Sequence, residues 1–80
     1  MFSYETRTIN NVNVTLLSVN AVTGRSYYFA RGPLHDYYIH KISTRRYDVE
    51  TYNNDFIDEA STLEEACAII IEVEENRTPW

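Results

Sequence analysis

Hydrophobic and polar residues alternate with a period of two over most of this chain and then switch to a spacing of three and four near its end. From Phe2 to Ile9, Tyr4, Thr6 and Thr8 alternate with Glu5 and Arg7; Asn10-Asn11 interrupts, and Val12, Val14 and Leu16 then alternate with Asn13 and Thr15. Alternation around a short polar break predicts a β-hairpin. The pattern blurs at Leu16, Leu17 and Val19, which predicts a second strand that is covered on both sides or bulges before ending near Val19. Thr23-Gly24 provides the positive-φ residue of the next reversal, and Arg25 to Ala30, with Tyr27, Tyr28 and Phe29, predicts a third strand ended by Gly32-Pro33.

Leu34 to Thr44 suits two conformations. As a strand it puts Tyr38, His40 and Ile42 on one side and Tyr37, Ile39 and Lys41 on the other; as a short helix begun at Pro33 it gathers Leu34, Tyr37, Tyr38 and Ile42 near one face. Its Tyr, Ile and Thr residues favour the strand. Arg46 to Tyr52 alternates cleanly, Asn53-Asn54-Asp55 turns the chain, and Phe56 to Glu59 predicts a short last strand.

The helix is predicted over Ser61 to Glu75. Ser61 followed by Glu64 has the spacing of a capping box, and Leu63, Ala66, Cys67, Ile70 and Val73 share one face, flanked by Ile69 and Ile71. The β-branched run within Ala68 to Glu74 would suit a strand, but cap, period and length agree on a helix. Asn76 suits a left-handed C′ position, and Pro79 limits continuation, which leaves 77–80 as a frayed tail whose Trp80 packs back on the body or serves as an anchor. The pattern as a whole predicts one α+β domain over 1–76: an antiparallel β-meander of five or six short strands with one C-terminal amphipathic helix packed on one face. The other face is then open, on a chain with seven tyrosines.

At 80 residues the chain can bury a small core without staples. The start at Met1 without a tag predicts a complete small open reading frame. Met1 to Asn20 has neither the basic start nor the apolar run of a signal peptide, and no stretch approaches a membrane span. A lone cysteine, Cys67, on the apolar helix face is expected to be a buried small hydrophobe in a reducing cytoplasm.

Net charge is −5 and unevenly spread. Residues 25–46 carry Arg25, Arg31, Lys41, Arg45 and Arg46 against Asp36, whereas residues 47–80 carry ten acids against Arg77. On the helix, Glu64, Glu65, Glu72 and Glu75 fall with Ala68 on the outer side, with no Lys or Arg three or four residues away. Like charges at that spacing cost on the order of a few tenths of a kcal/mol each, and Glu74 and Glu75 oppose the helix dipole. Such a stripe is either an ordinary solvated face or an acidic surface presented to a basic partner.

Candidate chemistry is sparse. His35 and His40 are five apart and Cys67 is distant in sequence, so no zinc or calcium spacing is met and no cofactor is expected. No nucleophile elbow or phosphate-binding loop is possible with Gly24 and Gly32 alone, and adjacent carboxylates such as Asp58 and Glu59 point to opposite sides of a strand, so catalysis is not expected. The mixture of tyrosines with Arg25, Arg31, Lys41, Arg45 and Arg46 is what single-stranded nucleic-acid binders use, with Tyr28 and Tyr38 as stacking candidates, although the acidic total opposes a polyanion.

With its acidic, Tyr- and Asn-rich composition, a meander leading into one helix, and the junction E-A-S-T-L-E-E-A at Glu59 to Ala66, the chain resembles the small phage-encoded inhibitors of host defence, anti-CRISPR proteins among them. The resemblance implies a stoichiometric inhibitor that occupies the basic surface of a nucleic-acid-handling machine. The leading expectation is therefore a non-catalytic module that presents Glu64, Glu65, Glu72 and Glu75, with Asp55 and Asp58 beside them and Tyr52 for apolar contact, to a basic protein. The alternatives are nucleic-acid binding through the basic, Tyr-rich sheet face, and a homodimer that buries the open face.

Overall fold

The computed structural model describes residues 6–76, in which the hairpins follow from a few turn residues. Asn10 and Asn11 take φ of 51° and 65°, the left-handed pair of a two-residue hairpin turn, between β1 (Thr6–Ile9) and β2 (Val12–Val19). Gly24, at φ 75°, closes the loop to β3 (Ser26–Arg31), whose other end is held by the Asn20 side chain accepting from the Val22 and Thr23 N–H groups. β4 (Asp36–Ser43) and β5 (Arg46–Thr51) follow, and Asn54, at φ 67°, turns the chain into β6 (Phe56–Ala60). At that turn the buried Thr51 hydroxyl accepts from both the Asn53 and Asp55 N–H groups at 3.2 Å, which satisfies its oxygen.

The six strands pair antiparallel in chain order, and α1 (Leu63–Asn76) packs on one face of the sheet, the α+β meander that the alternation predicts. Within 34–44 the strand β4 forms over Asp36–Ser43, because only alternation buries Tyr37 and Ile39, both fully, while turning Tyr38 and His40 the other way. The blur in β2 is a bulge between Leu16 and Ser18; a second falls between Lys41 and Ser43, displacing Ile42. The core joins Val12, Val14, Ala30, Tyr37, Ile39 and Val49 of the sheet to Leu63, Ala66, Cys67 and Ile70 of the helix, with Ile69 and Ile71 half-buried at its flanks as expected.

The capping box is shifted by one residue from its expected place. Thr62, not Ser61, is the N-cap: its hydroxyl accepts from Glu65 N–H at 3.1 Å, and the Glu65 carboxylate, not that of Glu64, reaches back to Ser61 N–H at 3.2 Å. Burying Leu63 and Ala60 on either side of the junction selects Thr62, since a cap at Ser61 would begin the helix before the chain has turned off the sheet. Asn76 ends α1 as a helical residue without positive φ rather than as a left-handed C′ cap. Phe2 to Glu5 and the expected tail, 77–80 with Trp80, lie outside the described residues.

Candidate interaction surfaces

The helix and the sheet present two chemically different faces. On α1, Glu64, Glu65, Ala68, Glu72 and Glu75 are all exposed, as the 3.6 period requires once Leu63, Ala66, Cys67, Ile70 and Val73 face the core. Glu64 and Glu65 lie in the first turn, where the dipole favours them; the last turn holds no basic residue. Among the described residues no cation pairs with Glu64, Glu65 or Glu75.

Glu74 behaves differently from the rest of that helix end. Its carboxylate accepts from His35 N–H at 2.7 Å, Leu34 N–H at 3.1 Å and the Tyr37 hydroxyl at 3.1 Å, which ties the last turn of α1 to the β3–β4 loop. Gly32 makes room for it, because a Cβ there would lie 2.9 Å from Glu74 Oε2. By sequence alone Glu74 is only a cost against the helix dipole. A signal was available: a loop that starts Gly-Pro leaves consecutive N–H groups at Leu34 and His35 that need an acceptor.

Burial, then the charge and hydrogen bond of Glu74, hold the Tyr37 hydroxyl proton well above the ordinary tyrosine range; burial likewise pushes the Cys67 thiol up to about 11. Both groups bind their protons more tightly folded than unfolded. Their contribution is therefore complete below the unfolded values, 9.0 for the thiol and 10.0 for the phenol, and is lost as pH rises past them. Urea melts should show stability falling from about pH 9 upward, first through Cys67 and above about pH 10 also through Tyr37, and Tyr37→Phe, although less stable at neutral pH, should show a shallower fall above about pH 10. A slope unchanged by Tyr37→Phe would place the alkaline sensitivity elsewhere.

The uncovered side of the sheet is read off the strand register. One row crosses all six strands as Thr6, Thr15, Phe29, Tyr38, Glu50 and Phe56, and the next runs Ser18, Tyr27, His40, Asp48 and Glu59. Its centre is aromatic. Tyr27 stacks on Tyr38 at 5.1 Å between ring centroids and Tyr38 on Tyr52 at 5.8 Å, while Phe29 and His40 meet this stack edge-on. The β1–β2 end is neutral, with a Thr6–Thr15 hydroxyl bond and Thr8 donating to Asn13; the β5–β6 end is acidic. Beyond Tyr52 a cleft of about 270 Å³ opens between Leu34, His35 and Asp36 on one side and Asn53 on the other.

No protein-family model matches this chain, and neither a curated protein nor a solved structure does. Its surfaces therefore stand on their own chemistry. Among the described residues no group of three His, Cys, Asp or Glu side chains is placed to hold a metal ion, and no helix is long and apolar enough to cross a membrane.

The structure separates several residues that stand together by sequence pattern. Tyr52 stacks on the open sheet face, opposite the helix carboxylates; Asp55 lies in the β5–β6 turn, and Asp58 is half-buried on β6 with its carboxylate accepting from Glu59 N–H. The basic block does not gather. Arg25 and Arg45 are exposed in turns at different hairpins, and Lys41 lies on the helix side of the sheet, 5.8 Å over the Tyr47 ring. Arg31 pairs with Asp36 at 3.5 Å, and Arg46 bridges Asp48 at 2.9 Å and Glu59 at 3.2 Å. Of the two proposed stacking tyrosines, Tyr38 is on the open face but Tyr28 packs against the core beneath the helix, because adjacent strand residues face opposite ways.

Proposed function

We propose that this protein is a non-catalytic protein-binding module, an inhibitor that presents the outer face of α1 to a basic, nucleic-acid-handling partner such as a CRISPR or other defence complex in the host cytoplasm. The observation that carries this is the exposed line Glu64, Glu65 and Glu75, uncompensated by any described cation, on a chain whose Arg31 and Arg46 are already committed to Asp36, Asp48 and Glu59. Carboxylates displayed on a rigid helix can stand in for phosphates against a basic groove, and their unpaired state favours fast, salt-sensitive association. Tyr52 and Asp55 are not needed for this surface.

The test is affinity capture from host-cell lysate at low and high salt, with nuclease treatment in parallel. A nucleic-acid-handling protein that survives nuclease, is released by salt and is bound about tenfold more weakly by the combined Glu64→Gln, Glu65→Gln, Glu72→Gln and Glu75→Gln variant is the expected result. Glutamine at 65 still accepts at the cap, and the favourable dipole charges lost at 64 and 65 are offset by relief of the unfavourable charge at 75 and of like-charge repulsion, so the variant should melt at nearly the same temperature. Unchanged affinity in that variant would refute the proposal.

A further inference from the structure

The open sheet face holds a carboxylate that the fold places among rings rather than in water. Glu50 stands in the row between Tyr38 and Phe56, its side chain only 21% exposed. Its one close cationic neighbour among the described residues is His40, whose Nε2 lies 3.3 Å from Glu50 Oε1, supplies charge only when protonated, and has no hydrogen-bond partner there. The proton of the Tyr27 hydroxyl is held up by burial and by its neighbours Tyr38 and Glu50, which records how close this carboxylate stands to the stacked rings. The other permanent charges on this face are already paired: Arg31 with Asp36, and Arg46 with both Asp48 and Glu59. Among the described residues the face thus carries an excess of negative charge next to a stack of tyrosines, with no uncommitted arginine of its own.

We propose that this face binds arginine side chains of a basic protein segment, a guanidinium lying on the exposed Tyr52 end of the Tyr27–Tyr38–Tyr52 stack, whose inner ring faces cover one another, while Glu50, two residues before Tyr52 in the chain, accepts its N–H groups. Arginine fits better than lysine because its planar, weakly hydrated cation can lie flat on a ring and still donate in its own plane to a carboxylate. A nucleic-acid strand could use the same rings for stacking, but its phosphates would meet Glu50, Asp48 and Glu59. The site shares with the proposed function the basic character of the partner and uses none of the helix glutamates, so the two stand or fall separately.

The experiment is an amide-resolved NMR titration of the full chain with a blocked peptide of alternating arginine and glycine. The same peptide with citrulline for arginine and a short oligothymidylate are run in parallel. Saturable shifts centred on Tyr38, Glu50 and Tyr52 are expected with the arginine peptide alone. They should persist in the variant with glutamine at 64, 65, 72 and 75, and should weaken about fivefold or more in Glu50→Gln, whose fold is checked by its own spectrum. Shifts confined to α1 would overturn this site and leave the helix surface standing. Equal shifts with citrulline, shifts produced by oligothymidylate instead, or no saturable shift would each overturn it too.

Discussion

Glu74→Ala should destabilise the protein by about 2–3 kcal/mol, although a glutamate in the last turn of a helix is ordinarily an electrostatic cost. Considered only as part of α1, the substitution removes a carboxylate from the negative end of the dipole and should be neutral or mildly stabilising. In the folded protein it removes the acceptor of the Leu34 and His35 N–H groups and of the Tyr37 hydroxyl, on a tyrosine that is fully buried. Charge-assisted bonds of this kind exceed the dipole term, so the sign of the effect separates the two descriptions. Chemical denaturation with linear extrapolation measures it, and hydrogen exchange at Leu34 and His35 should quicken most.

Gly32 supplies the internal check. Its φ is not in the left-handed region, so alanine fits the backbone and its nearest contacts are with the Glu74 carboxylate, at 2.9 to 3.1 Å. Gly32→Ala alone should cost about 1–2 kcal/mol by pushing that carboxylate off its donors, and much less in the Glu74→Ala background. Additive losses would mean that the glycine and the glutamate do not share one constraint.

The second large effect is expected at Ile70, where alanine should cost about 3–4 kcal/mol, a large share of the roughly 4–12 kcal/mol that a domain of this length has. Ile70 is fully buried in the layer where α1 meets Val12, Val14, Ile39 and Val49, and among the described residues α1 is the one helix that covers this face of the sheet. Its neighbour Ala68 points to solvent, so Ala68→Ser should cost only the helix-propensity difference, about 0.5 kcal/mol. A thermal melt of each variant decides between this orientation of the helix and one rotated about its axis. Comparable losses at the two positions would exclude the packing described.

Both results bear on function through rigidity. The acidic line on α1 is a surface only while the helix is pinned to the sheet, at its start by Thr62 and by Asn10 donating to the Glu64 carbonyl, and at its end by Glu74. Loosening either end would blur the spacing of Glu64, Glu65 and Glu75 without touching their charge.

Local conformation was legible in the sequence because it depends on neighbours a few residues apart. A period of two placed the strands, Asn10-Asn11, Gly24 and Asn53-Asn54-Asp55 placed turns, and the spacing of Leu63, Ala66, Cys67, Ile70 and Val73 placed the helix and its buried side. That one face of the sheet would lie open followed from having a single helix to cover it. The tertiary structure decided everything that depends on which strand lies beside which. It set the one-residue shift of the cap to Thr62, the sorting of Tyr28 and Tyr37 inward from Tyr27, Tyr38 and Tyr52 outward, and the scattering of Arg25, Arg31, Lys41, Arg45 and Arg46 over loops and both sides of the sheet. Glu74 shows the reason most directly: its partners lie about forty residues earlier in the chain, and no local pattern records which carboxylate will meet an N–H group that far away.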